Sequence, residues 1–355
     1  MMGHRILFPE RRPAMNLAIF PVTLLALTAI DTWNPQTSGT TERLRGVSVV
    51  SDKIAWASGA KGTILRTIDG GASWTPQSVP NAEDLDFRDI HAVDARVAYA
   101  LSIGEAEKSR IYKTTDGGES WTLQHTNRDP KGFLDAIAFW DADHGVALGD
   151  PVEGRYMILT TDDAGKTWTP IKPEGMPLAL PGEGAFAASG TCLIVGKDDN
   201  VWFGTGGAKS ARVFRSTDRG RTWSAHETPI RAGAATSGIF SVAFRDANHG
   251  VIVGGAYDQA DRKGQIAATT DDGGMTWNLV TESEPNGFRS AAAFIEDGNT
   301  PRLVAVGPSG TDLSTDLGRS WKPLGTTGFH AVGFAGNGVG WGVGENGRIS
   351  LIRVR

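Results

Sequence analysis

Cysteine is nearly absent from this sequence, since Cys192 is the only one among its 355 residues. A single thiol excludes an internal disulfide and any paired-cysteine redox or zinc motif. Cys192 lies in the apolar run 191–195, where we expect it to be a buried small hydrophobe. Runs of basic residues are also lacking and the formal net charge is −5, so nothing indicates a nucleic-acid partner.

Signature motifs of common enzymes are missing as well. No Gly-x-Gly-x-x-Gly opens a helix, and neither a Gly-x-Ser-x-Gly elbow nor a His-x-x-x-His pair occurs. The seven histidines show no metal-ligand spacing, and His144 and His249 fall in equivalent turns of a repeat. We therefore expect no metal ion, no cofactor and no redox chemistry.

A transmembrane-length apolar run is also not found near the N-terminus. The apolar run at residues 17–30 has 14 residues and follows Arg5, Arg11 and Arg12. It is shorter than the roughly 20 residues of a transmembrane helix and fits the core of a secretory signal. Residues 1–30 are accordingly predicted to be a signal peptide or, alternatively, a disordered N-terminus. We expect the mature chain to have no transmembrane span and the protein to be exported, either periplasmic or secreted.

The sequence is rich in one eight-residue pattern, Ser/Thr-x-Asp-x-Gly-x-x-Trp, which occurs six times at tryptophan spacings of 47, 47, 55, 54 and 44 residues. The Asp and Ser/Thr side chains accept hydrogen bonds from turn amides, and glycine supplies the positive φ of a tight turn. One carboxylate per turn falls far short of the roughly six to eight oxygens that calcium prefers, so we assign the pattern a structural role. The aspartates of these Asp boxes are Asp69, Asp116, Asp163, Asp218, Asp272 and Asp316.

Short strand-like runs separated by turn residues precede each Asp box. In the first unit they are residues 45–50, 53–58 and 63–67, and a fourth run follows at 74–77. Four short strands per repeat are typical of a propeller blade. One position of the second strand aligns across seven units, and it is occupied by Trp56, Tyr99, Val146, Trp202, Val251, Val304 and Trp341. The sequence therefore predicts an all-β, seven-bladed β-propeller with four-stranded antiparallel blades.

The last unit has three strand-like runs and ends before an Asp box. Residues 32–36 resemble residues 73–77, the outer strand of the first blade. We therefore predict that the N-terminal strand closes the last blade, because closure removes exposed sheet edges. Residues 31–355 would then form a single seven-bladed domain, which we expect to be a monomer.

A functional site is expected on the face opposite the Asp boxes, where chain segments enter the inner strands and loops join the second and third strands. The predicted starts of the inner strands form a ring of Arg45, Arg88, Leu134, Phe186, Phe240, Arg289 and His330. Three arginines and a histidine from adjacent blades would form a positive patch, and arginine forks suit carboxylates or phosphates. The alternative is that each arginine pairs with a nearby acid. Further binding candidates near this ring or at its rim are Asp135, Glu183, Asp150 and Arg155.

The Thr-Thr-Asp-Gly-Gly-x-Ser-Trp box at residues 114–121 and its relatives resemble those of the Asp-box (BNR) propellers, with the photosystem II assembly and stability factors as the nearest subgroup. The resemblance extends over about residues 32–355. It implies a non-catalytic assembly factor that binds membrane-protein precursors through an arginine-rich face. We therefore expect a binding propeller of the cell envelope, with a protein or a membrane-protein precursor as its partner.

The alternative interpretation is a glycoside hydrolase with a carbohydrate substrate, sialidase-like or of another Asp-box type. Sialidases share the Asp box and use three arginines together with a tyrosine–glutamate pair. They have six blades, however, and the four tyrosines of this sequence fall outside its predicted inner strands. Asp-box enzymes that cleave xyloglucan need two propellers, whereas 355 residues supply one.

Overall fold

The computed structural model describes residues 33–296 and 301–354, so the predicted signal peptide lies outside the described residues. Residues 31–355 form one compact unit. In the described ranges, 28 strands make seven four-stranded antiparallel sheets, and the prediction of a seven-bladed propeller is confirmed. No helix within these ranges is both long and apolar enough to cross a membrane.

Blades 1 to 4 follow the chain, each from its inner to its outer strand. Blade 1 contains Leu44–Val49, Ala55–Gly59, Ile64–Thr67 and Thr75–Gln77. Blade 2 contains Asp86–Ala92, Ala98–Ile103, Arg110–Thr114 and Thr122–Thr126. Blade 3 contains Leu134–Phe139, Gly145–Val152, Arg155–Thr161 and Thr169–Pro170. Blade 4 contains Leu193–Val195, Val201–Gly204, Arg212–Ser216 and Ser224–Glu227.

Blades 5 and 6 repeat this order, and blade 7 takes its outer strand from the other end of the chain. Blade 5 contains Ser237–Phe244, Gly250–Ala256, Ala267–Thr270 and Asn278–Leu279. Blade 6 contains Ala291–Ile295, Arg302–Gly307, Gly310–Ser314 and Lys322–Gly325. Blade 7 contains Ala331–Phe334, Val339–Val343, Ile349–Arg353 and Asn34–Gln36. Single 3₁₀ turns lie at Ala106–Lys108, Pro173–Gly175, Tyr257–Gln259 and Glu345–Gly347.

Closure by the N-terminal strand is confirmed in its register. Gln36 pairs with Ile349 in an antiparallel ladder, so this segment supplies the fourth strand of blade 7. Trp33 packs on Phe329 with ring centroids 4.3 Å apart, and its indole N–H donates to Thr311 Oγ1 at 3.1 Å. The edge of blade 7 is therefore paired within the molecule.

The tryptophans form the core between blades rather than a surface for ligands. The Asp-box ring of each blade packs on the aligned second-strand residue of the blade before it. Trp74 meets the edge of Trp341 at 6.4 Å, and Trp121 meets Trp56 at 6.1 Å. Such T-shaped aromatic pairs add roughly 0.5–1.5 kcal/mol beyond the burial of their area. Around the rest of the ring, the corresponding two residues belong to the same core cluster: Trp168 with Tyr99, Trp223 with Val146, Trp277 with Trp202, Trp321 with Val251 and Trp33 with Val304.

Each Asp box is closed by its own side chains. In blade 1, Thr67 Oγ1 donates to Asp69 Oδ1 at 2.8 Å and accepts from the Gly71 amide at 2.9 Å. Asp69 also accepts from the Ser73 hydroxyl at 2.6 Å and from the Ser73 amide at 3.0 Å. The Ser73 bonds, followed by the Thr67 hydroxyl, lower the pKa of Asp69 to about 2. The carboxylate is thus occupied by its own turn. The Asp boxes lie at one end of the channel, and the loops between the second and third strands lie at the other.

Candidate functional site

Bulges in the inner strands aim side chains at the channel. In blades 1, 2, 3 and 5 the register with the second strand shifts by one residue near the start of the inner strand. A bulge leaves its extra residue outside the ladder and redirects that side chain. The bulged residues are Arg45, Arg88, Asp135 and Phe240, and all four line a single cavity at the channel mouth.

This cavity has a volume of about 580 Å³ and opens on the face opposite the Asp boxes, which we call the loop face. Its wall changes character around the ring. Blades 7, 1 and 2 contribute His330, Arg45 and Arg88, blade 3 contributes carboxylates, and blades 4 to 6 contribute mostly apolar and aromatic side chains. The mouth therefore has a basic, an acidic and an aromatic sector.

Arg45 is the arginine of the basic sector that is available to a ligand. No ion pair or hydrogen bond of its side chain occurs in the described part of the chain, and its Nε is buried without a partner. Burial, followed by repulsion from the guanidinium groups of Arg88 and Arg43, lowers the pKa of Arg45 to about 10. A buried cation without a partner has an unfavourable free energy, and an anion that binds to it reduces this cost.

Arg88 is held by protein partners instead. Its Nε donates to Asp86 Oδ2 at 2.8 Å, and its Nη1 donates at 2.7 Å to the Ala187 carbonyl, in the segment that enters blade 4. Arg43 shares the same carboxylate oxygen of Asp86 at 3.1 Å. Arg88 thus braces the mouth and leaves Arg45 as the principal free donor.

His330 completes the basic sector as a neutral group. Its Nε2 lies 2.7 Å from Glu345 Oε1. Burial and the nearby Arg45 charge lower the pKa of His330 to about 4 against the opposing effect of Glu345, so the ring is uncharged at neutral pH. A neutral imidazole next to a carboxylate donates its Nε2–H to that carboxylate.

The acidic sector consists of two carboxyl groups from blade 3. Asp135 is only 1% exposed, and its Oδ2 is buried without a hydrogen-bond partner. Burial, followed by the charge of Asp150, raises the pKa of Asp135 well above its usual range. Asp150 Oδ1 accepts from the Ala185 amide at 2.9 Å, and burial raises the pKa of Asp150 to about 6.

The aromatic sector is a packed cluster. Phe186 stacks on Phe240 with centroids 3.9 Å apart, and Phe288 meets Phe240 edge-on at 4.6 Å. Tyr257 lies beside Phe240 at 6.0 Å and is half exposed at the rim. A Cβ at Gly206 would lie 2.7 Å from Phe186 Cε2, so this glycine lets the Phe186 ring lie against the backbone.

Two residues of the predicted ring are displaced by one position. Leu134 points into the core, and the neighbouring Asp135 lines the cavity. Arg289 likewise does not line the cavity, where Ser290 takes the expected position. Arg289 is 1% exposed and donates from Nε to Asp312 Oδ2 at 2.6 Å. It is therefore a buried structural arginine rather than part of the basic sector.

The backbone explains the position of Arg289. Its amide donates to the Gly254 carbonyl at 3.1 Å, as the amide of Phe329 donates to Gly307 and that of Leu44 to Gly344. Arg289 thus occupies the core position that leucine and phenylalanine fill in blades 1 and 7. A slip of one residue along a strand moves a side chain to the other face.

Two further candidates lie away from the cavity wall. Glu183 is buried and accepts from Arg212 Nε at 2.9 Å, so its charge is neutralised locally. Arg155 is half-buried and donates to the Met176 carbonyl at 2.6 Å. Neither residue lines the cavity, whereas Asp150 does.

Sequence reasoning missed Phe133 and Phe288, which line the cavity. A signal for them exists, because Gly-Phe pairs at 132–133, 287–288 and 328–329 precede three inner strands. Two of these three phenylalanines face the cavity, and the third, Phe329, lies in the core between blades.

Comparison with known proteins agrees with the propeller fold. Residues 25–126 match the family described as "Photosynthesis system II assembly factor YCF48". The structure of YCF48 bound to D1 peptide superposes with a TM-score of 0.63 and 16% identity over 91% of this chain and 95% of that chain. YCF48 from Cyanidioschyzon merolae gives a TM-score of 0.64 and 15% identity over 90% and 98% of the two chains.

An enzyme of the same fold is also similar. An ancestral GH74 enzyme gives a TM-score of 0.63 and 13% identity over 89% of this chain but only 45% of that chain. At such identities, structural similarity establishes the fold alone. No curated protein sequence shows significant similarity to the chain.

Proposed function

We propose that this chain, an Asp-box (BNR) propeller of the photosystem II assembly factor type, is a non-catalytic binding protein of the cell envelope. In this proposal Arg45 receives a carboxylate of a protein partner at the loop face. Arg88 and His330 shape the sector in which that carboxylate lies. The Asp boxes hold the ring together and take no part in binding.

The observation that supports this function is the state of Arg45. Its guanidinium group is largely buried, has Arg43 and Arg88 as neighbours, and forms no ion pair in the described part of the chain. A carboxylate partner would satisfy it with a charge-assisted hydrogen bond, which is about twice as strong as a neutral one. A propeller of similar fold, YCF48, has been solved bound to D1 peptide, which is consistent with a protein partner.

Affinity capture from the membrane fraction of the source cells tests this function. We expect wild type to retain a protein that the double variant Arg45→Glu/Arg88→Glu loses. The charge-matched control Arg221→Glu/Arg319→Glu changes two exposed arginines of Asp boxes on the other face and should retain the same protein. Loss from both double variants, or from neither, would contradict a role of the basic sector.

A glycoside hydrolase remains the second candidate because Asp135 and Asp150 place two carboxyl groups in one cavity. Most such enzymes act with a pair of carboxyl groups. A sialidase-like mechanism has no support, because it needs a tyrosine paired with a glutamate. Tyr257 lines the cavity, but no glutamate is among the described residues that line it. Hydrolysis of an aryl glycoside by wild type, lost on Asp135→Asn, would replace the binding function by this one.

We further propose that residues 1–30 direct export and that the mature protein is a monomer in the periplasm or outside the cell. Arg5, Arg11 and Arg12, followed by the apolar run 17–30, support this localisation. Fractionation of the source cells, with mass spectrometry of the mature N-terminus, tests it. Recovery of a full-length chain in the cytoplasmic fraction would contradict export.

A further inference from the structure

The carboxyl groups of blade 3 are brought together by two bulges in the same blade. Asp135 is the extra residue of the inner strand, between Leu134 and Ala136. Asp150 is the extra residue of the second strand, between Gly149 and Pro151. Leu134 and Gly149 are direct partners in the ladder, so the two acids follow paired positions. The backbone therefore directs both carboxyl groups into the cavity that they line.

Protein partners leave this pair incompletely satisfied. Asp135 is 1% exposed, and its carboxyl group has neither an ion pair nor a hydrogen bond within residues 33–296 and 301–354. Asp150 uses Oδ1 for the Ala185 amide. Buried polar groups are almost always hydrogen-bonded, so the Asp135 carboxyl group is open to a ligand in the cavity that it lines.

The surroundings indicate the chemistry of that ligand. Phe133 and Phe186 line the same cavity as the two acids, and a combination of aromatic rings and carboxylates favours an ammonium group on an apolar chain. A divalent metal ion fits less well, since no group of three or more metal-ligating side chains occurs in the described residues. Burial already raises the pKa of both acids, and a cation between them would stabilise their ionised forms.

We propose that Asp135 and Asp150 form a second binding site in the cavity, which takes a primary ammonium group at the end of an unbranched apolar chain. The ammonium group donates to Asp135 Oδ2 and to Asp150, and its chain lies along Phe133 and Phe186. The site goes beyond the carboxylate function proposed for Arg45, because it uses a different sector and the opposite charge. The ammonium group belongs either to a free alkylamine or to a lysine side chain, because both present the same chemical group.

Calorimetry and thermal shift with n-butylammonium chloride test this site, with 1-butanol as the uncharged control of equal length. We expect wild type to bind butylammonium saturably and 1-butanol undetectably. Nα-acetyl-lysine amide is the second probe, and its binding would identify a lysine side chain as a possible source, whereas binding of butylammonium alone would identify a free amine. Equal responses to butylammonium and 1-butanol would overturn the proposal.

Matched variants locate the site. Asp135→Asn and Asp150→Asn should each weaken butylammonium binding by at least about tenfold, because a buried charge partner is lost. Asp84→Asn, which removes an exposed carboxylate, should leave it unchanged. Folding of each variant is checked by circular dichroism, and a folded Asp135→Asn protein that binds the amine like wild type would refute the assignment. Arg45→Gln should lose the protein partner and keep the amine, so the two proposals can fail separately.

Discussion

Gln36 and Trp74 are joined by a hydrogen bond of 2.9 Å between the Gln36 Oε1 and the indole Nε1–H. The same oxygen accepts from the Trp341 indole at 3.0 Å, and the Gln36 amide donates to the Gly70 carbonyl at 3.2 Å. The closing strand is therefore linked to the second strand of blade 7 and to the Asp box of blade 1. The side chain of Gln36 therefore connects blade 7 to blade 1, where the ring closes.

Replacement of Gln36 should weaken the closure of the ring. We expect Gln36→Leu to leave two buried indole N–H groups without an acceptor and to lower the free energy of unfolding by about 2–4 kcal/mol. A drop in melting temperature of roughly 5 °C or more, measured by circular dichroism, checks this.

Gln77 provides the control, because it occupies the equivalent position at the end of blade 1. Its amide donates to the Thr75 carbonyl at 3.0 Å, and it accepts from no tryptophan in the described part of the chain. Gln77→Leu should change the free energy of unfolding by less than about 0.5 kcal/mol. Similar melting temperatures for the two variants would show that Gln36 has no special role in closure.

The buried pair of Arg289 and Asp312 should be structural. We expect Arg289→Met to lower the free energy of unfolding by about 3–5 kcal/mol, because Asp312 would remain buried without its partner. The matched control is Arg319→Met, which breaks the exposed pair of Arg319 and Asp271 and should cost at most about 1 kcal/mol. Urea denaturation measures both, and equal effects would contradict the distinction.

Replacement of Arg45 should have the opposite effect on stability from replacement of Arg289. Because Arg45 has no ion pair in the described residues and is repelled by Arg43 and Arg88, we expect Arg45→Met to raise the free energy of unfolding by about 1 kcal/mol. The same variant should lose the captured protein partner. Thermal denaturation checks the stability, and a loss as large as that of Arg289→Met would mean that Arg45 stabilises the fold.

The fold could be predicted from the sequence because its signals repeat. Six Asp boxes gave the spacing of the blades, and the likeness of residues 32–36 to residues 73–77 gave the closure. Trp56 and Trp341 could be assigned to the core because the same strand position recurs in every blade.

The site was less accessible to sequence reasoning because bulges and side-chain directions decide it. A bulge adds one residue to a strand, so an alignment without it selects Leu134 in place of Asp135. Arg289 was expected at the mouth because it aligns with the predicted starts of the other inner strands. The backbone places it one position earlier, where the core lies. Asp312, the Phe288 carbonyl and the Ser309 hydroxyl accept its hydrogen bonds there and make a buried arginine tolerable.

The pH dependence of stability should identify Asp150 as a buried acid. Its pKa in the folded protein is raised to about 6, above the value of roughly 4 expected in the unfolded chain. Between these two values the folded state binds more protons than the unfolded state. The contribution of Asp150 to stability is therefore fully present below about pH 4 and is lost as the pH rises through about 6. Asp150→Asn keeps an oxygen for the Ala185 amide and does not titrate. We therefore expect the stability of wild type relative to this variant to fall on the order of 2 kcal/mol between pH 4 and pH 7.

Urea denaturation of both proteins at about pH 4 and pH 7 measures this difference. Titrating groups that do not interact with Asp150, among them His91 and the Asp boxes, are present in both proteins, so their contributions cancel in the comparison. Asp84→Asn, at an exposed position, serves as the control and should show a difference from wild type that does not change with pH. A constant difference for Asp150→Asn as well would mean that the pKa of Asp150 is the same in the folded and the unfolded protein. Asp150 would then be ionised at pH 7 without a ligand.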